Sequence, residues 1–123
     1  MSDRLHLEYF LLRYVPAITE DAFVTIGIIM FIREVPDFAA VKFLESWTPV
    51  ISFDPDADLD YLKKFAEDIE AQVRNDGYRK QILERMKDSF SNIIQLSEAK
   101  ECLAEDPVAE FRALCALHLR VKI

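Results

Sequence analysis

Apolar and polar positions alternate well over residues 5–15. Leu5, Leu7, Tyr9, Leu11, Arg13 and Val15 share one face, and His6, Glu8, Phe10, Leu12 and Tyr14 share the other. A period of two predicts a strand. Pro16 ends it, because proline has no N–H to give a ladder. Residues 17–21 read as a turn into the segment 23–32, Phe-Val-Thr-Ile-Gly-Ile-Ile-Met-Phe-Ile, which is apolar on both faces. Such a strand must be covered on both sides, and this places it at the centre of a sheet. It is too short for a bilayer span, which needs about 20 apolar residues. Gly27 inside it marks a bulge or a close approach by another group. Residues 33–37 read as a second turn and 38–46 as a third strand. Short connections of this kind make antiparallel neighbours, so the first half is an antiparallel meander.

Beyond it the period changes. Residues 47–56 are irregular around Pro49 and Pro55, held to the sheet by Trp47, Val50, Ile51 and Phe53, with 51–53 as a short strand. Leu59, Leu62, Phe65, Ala66, Ile69 and Val73 recur at helical spacing. Asp58 is placed to cap that helix, and Gly77 to stop it in the left-handed conformation. A second helix over 78–88 carries Ile82, Leu83, Met86 and then Phe90 on one stripe, and Arg79, Lys80, Arg85 and Lys87 on the other face. Residues 92–96 return to a short strand, and Ser97 caps a helical turn reaching 103. Asp106-Pro107 opens a last helix, with Val108, Phe111, Leu114, Cys115, His118 and Val121 facing inward. The order β-β-β-α-α-β-α has no βαβα alternation, which predicts the α+β class. The expectation is one domain over 1–123, an antiparallel sheet of three to five strands packed by three main helices.

Composition narrows the functions. The 123 residues carry a net charge of −7, which repels a phosphate backbone and leaves nucleic acid a poor partner. No membrane segment is expected. No smooth apolar stretch follows Asp3-Arg4, so no secretory leader is read and the expected location is the cytoplasm. There Cys102 and Cys115 are expected to be reduced core residues.

Most catalytic constellations fail on inspection. Asp54, Asp56, Asp58 and Asp60 resemble half a calcium loop, but the sixth and twelfth places hold Leu59 and Phe65 instead of Gly and Glu. Two glycines cannot build a phosphate-cradling loop. Pro36-Asp37 followed by Lys42 suggests a metal-dependent nuclease core, except that Ala40 stands where an acid is required. Cys115 and His118, three apart on a helix, could make an activated thiol, yet their apolar stripe reads as core. No cofactor and no metal are expected. What remains are polar side chains set in strands: Glu8, Arg13, Tyr14 and Thr25. Arg13 lies among apolar neighbours and needs a partner, for which Glu20 or Asp21 across the hairpin is suited. Arg79 and Lys80 add a basic surface for an acidic partner.

The stretch Tyr9-Phe10-Leu11-Leu12-Arg13-Tyr14-Val15-Pro16, then Asp21-Ala22-Phe23-Val24-Thr25-Ile26-Gly27-Ile28-Ile29, resembles the opening of a bacterial family known as domain of unknown function 3037. Ser89-Phe90-Ser91-Asn92-Ile93-Ile94-Gln95-Leu96-Ser97 and Glu105-Asp106-Pro107 are similar to its C-terminal half. Thr25 replaces the Asn that the resemblance implies before Ile-Gly. The family brings no activity. The resemblance implies a small accessory protein encoded beside a HipA-type, kinase-like protein, in a toxin–antitoxin or defence-like operon. The leading expectation is a non-enzymatic protein-binding domain. The alternative is a small hydrolase or nuclease using Glu8, Arg13 and Tyr14, and it requires those side chains to meet in one cleft.

Overall fold

The computed structural model describes residues 4–16, 22–89 and 93–119. Three long strands come first, β1 (Leu5–Tyr14), β2 (Val24–Ile32) and β3 (Val35–Phe43). Three helices follow, α1 (Thr48–Phe53), α2 (Leu59–Asn75) and α3 (Arg79–Ser89). Two short strands, β4 (Ile94–Leu96) and β5 (Lys100–Ala104), precede the last helix, α4 (Pro107–Leu119). The class is α+β, as the segregation of periods predicts.

The sheet is antiparallel throughout, in the order β3-β2-β1, with β4 and β5 sharing the outer edge of β1. β4 pairs with Leu12–Tyr14 and β5 with Leu5–Tyr9. Ser97 bridges the gap between them at Leu11. Its N–H donates to the Leu11 carbonyl at 2.8 Å, and its hydroxyl accepts from the Leu11 N–H at 2.9 Å. This accounts for a buried serine: it keeps the ladder of β1 satisfied where neither strand reaches.

β2 is interior and buried from Ile26 to Ile32. Ile29 and Phe31 meet Phe10, Leu12 and Tyr14 under α2 and α3, whereas Ile28 meets Leu11 under Leu114, Cys115 and Leu119 of α4. Both expectations for Gly27 hold. The register steps from Leu12↔Gly27 to Arg13↔Thr25, leaving Ile26 as the extra residue of a bulge. A Cβ on Gly27 would stand 2.8 Å from the Phe43 ring, so the glycine also lets that ring approach.

Several expectations give way. Residues 51–53 belong to α1, with Pro49 in its first turn and Val50 as its buried anchor. Ile51, Ser52 and Phe53 all lie exposed, whereas a half-buried strand would turn one of its two faces inward. Residues 100–104 form β5 where a helical turn was expected, because the unpaired edge of β1 offers ladder bonds that outweigh a weak helical preference. β3 begins at Val35, ahead of the expected 38, and absorbs Pro36-Asp37-Phe38 as an irregularity between Phe31↔Ala39 and Ile32↔Val35. As an edge strand it tolerates the proline.

Asp58 caps α2 as expected, accepting from the Tyr61 N–H at 3.1 Å, and Asp106 caps α4 by accepting from Ala109 at 3.2 Å. Gly77 is not left-handed, and Asp76 before it is extended. The glycine is needed for another reason: a Cβ there would lie 2.1 Å from the Asp37 carbonyl oxygen. On α4, Val108 is exposed instead of inward. The stripe positions Phe90 and Val121 fall outside the described residues.

Candidate functional site

At the N-terminal end of β1 the helical layer stops short of the sheet edge. α2 and α3 cover Phe10, Leu12 and Tyr14, but the paired positions Glu8↔Glu101 and His6↔Leu103 lie beyond them. A cleft of about 780 Å³ opens there. Its floor is Phe31, Glu8 and Leu103, one wall is Tyr78–Arg79–Lys80 at the start of α3, and another is Arg33 and Pro36 at the β2–β3 turn.

Three charge pairs organise it. Arg79 donates from Nε to Glu8 Oε1 at 2.5 Å and from an Nη to Glu8 Oε2 at 3.3 Å, a two-pronged clamp between α3 and β1. The same guanidinium lies 6.0 Å from the ring centroids of both Phe10 and Phe31, so it also roofs the aromatic floor. His6 Nδ1 contacts the Glu34 carboxylate, whose other oxygen accepts from the His6 N–H at 2.8 Å. Those bonds hold the Glu34 carboxyl below its usual range. Arg33 reaches Glu101 only at 4.0 Å, with both side chains about two-thirds exposed. Leu103 and Tyr78 are 51% exposed, large apolar surfaces left bare at the cleft.

Of the residues singled out by sequence, Glu8, Arg79 and Lys80 converge here. Tyr14 does not. It donates to Asp54 Oδ2 at 2.7 Å at the far end of β1, and burial together with that bond pushes its hydroxyl up to about 12. Arg13 lies on the opposite face of the sheet, its guanidinium 4.3 Å above the Phe23 ring, and Thr25 is its cross-strand neighbour. Arg13 Nε is buried with no hydrogen-bond partner among the described residues, and its expected partners Glu20 and Asp21 fall outside them. Sequence reasoning missed Tyr78, Leu103 and Arg33. The signal for Leu103 was the pairing of residues 100–104 as a strand, which their composition hides.

The surroundings of Cys115 and His118 favour the neutral form of each. Burial pushes the Cys115 thiol up, and burial with Lys100 and Arg13 nearby pushes His118 down, so neither is drawn toward its charged form. The His118 ring lies tilted against Tyr9, centroids 6.0 Å apart, as part of the α4 contact. Both cysteines are free. Among the described residues no three His, Cys, Asp or Glu side chains could hold a metal ion together. Nor is any described helix long and apolar enough to cross a membrane.

A family model described as Protein of unknown function (DUF3037) matches residues 9–118. No curated protein and no solved structure matches the chain.

Proposed function

This chain belongs to the DUF3037 family, and on that premise we propose that it is a non-enzymatic accessory domain that binds another protein. The observation that carries the reading is the bare apolar surface of Leu103 and Tyr78 beside β5, whose outer edge has no strand against it among the described residues. Among the described residues β5 pairs only with β1. A free edge offers main-chain donors and acceptors, and an adjacent groove offers a place for side chains, the two parts of recognition by strand addition.

The enzymatic alternative loses its motive. It needed Glu8, Arg13 and Tyr14 in one cleft, but they are divided between two faces and the two ends of β1. Nucleic-acid binding is likewise weakened, since Glu8 neutralises one cation of the basic helix face. The resemblance to proteins encoded beside HipA-type kinases makes such a kinase-like protein the first partner to test, in a bacterial cytoplasm.

Co-purification of the tagged chain with that neighbour is the test. Wild type should retain it, and Leu103→Lys should lose at least tenfold of the capture while unfolding at the same urea concentration, because the side chain is half exposed. Equal capture by Leu103→Lys and Tyr78→Ala would overturn the cleft as the binding surface.

A further inference from the structure

We infer that the segment entering the cleft is an extended one bearing an apolar side chain and, two residues away on the same face, a carboxylate. This rests on the cleft being a protein-binding surface and names the chemistry of what it takes.

The argument is one of unspent charge. The chain as a whole carries −7, yet Arg33, Arg79 and Lys80 line the cleft against Glu8 and Glu101, a local excess of one positive charge. Each of those carboxylates already has a cation. Glu8 is clamped by Arg79, Glu101 faces Arg33, and neighbouring Glu34 is held by His6. An incoming lysine or arginine would find Glu8 clamped and only the loosely held Glu101 to take it. An incoming carboxylate would find the equally loosely held Arg33 and, in addition, Lys80. Lys80 makes no ion pair among the described residues, and Arg33 holds Glu101 only loosely at 4.0 Å.

Position supplies the apolar half. A strand added to β5 places alternate side chains on the face of the sheet that carries Leu103, at the rim of the cleft. Same-face positions repeat every two residues, about 7 Å, so an apolar residue and an acid two apart can sit against Leu103 and the cationic wall together.

A displayed library of random twelve-residue peptides, selected in parallel on wild type, Lys80→Glu and Leu103→Ser, tests this. The expected result is at least tenfold enrichment of acid-x-apolar or apolar-x-acid pairs on wild type, reversal to basic residues on Lys80→Glu, and no enrichment on Leu103→Ser. Peptides that need Leu103 but show no acidic preference, or are indifferent to Lys80→Glu, would overturn the inference and leave the cleft as a binding surface. Peptides indifferent to Leu103→Ser, or no enrichment at all on wild type, would overturn the acidic-segment inference. In the last case co-purification of the neighbouring protein decides separately whether the cleft binds a folded surface.

Discussion

The two ends of β1 present the same face of the same strand to opposite fates. At Tyr14 the strand lies under the helices, 4% exposed, and its one polar atom is fixed on Asp54. At Glu8, about 20 Å back along the strand, the helical layer has ended. The polar atoms there hold a partner that is itself half exposed, Arg79 at 51%. A buried polar group with a single fixed partner serves the fold, because losing the partner costs desolvation with nothing gained. A charge pair at the mouth of a cleft costs the fold little to rearrange and is therefore available to a ligand. Polar residues in strands do not by themselves separate these roles; their cover does.

The contrast can be broken most severely at the closed end. Leu12 is fully buried between β2 and the helices, and Leu12→Ala should cost about 3 kcal/mol in urea unfolding through the cavity left behind. Gly27→Ala follows. Its methyl would meet the Phe43 ring at 2.8 Å and Leu12 Cδ1 at 3.2 Å, for a loss of about 2 kcal/mol by overpacking. Tyr14→Phe should cost about 1 kcal/mol near neutral pH. It should also remove an alkaline effect. Because the folded-state hydroxyl titrates at about 12 and the unfolded one at 10, its stabilising share is whole below pH 10 and lost as pH rises through 12. A wild-type chain should therefore lose stability over that window more steeply than the variant, as followed by circular dichroism. Glu8→Gln, at the open end, should move stability by less than about 1 kcal/mol. If it unfolds the chain as Leu12→Ala does, the two ends are not different in kind.

Much of this architecture was readable from residues 5–32, where alternation and a doubly apolar run leave few arrangements open. The helix at 59–75 was readable from spacing and its Asp58 cap. The failures have a common cause. Residues 51–53 and 100–104 are too short for their own periodicity to decide, so neighbours decide: Trp47 and Pro49 start a helix turn, and the unpaired stretch of β1 recruits a strand. Gly77 misled because the commonest reason for a glycine after a helix is backbone conformation, whereas here it is proximity to Asp37. For the site, charge type pointed to Glu8, Arg79 and Lys80 but equally to Arg13 and Tyr14. Which of them meet depends on where the helical cover ends, a property of three elements together.

The seat of Gly77 against Asp37 bears on how the helical layer is fixed to the sheet. It presses the junction between α2 and α3 onto the irregular, proline-bearing portion of β3. Any side chain at position 77 would force the two apart, so that corner of the molecule is set by the absence of a single methyl group.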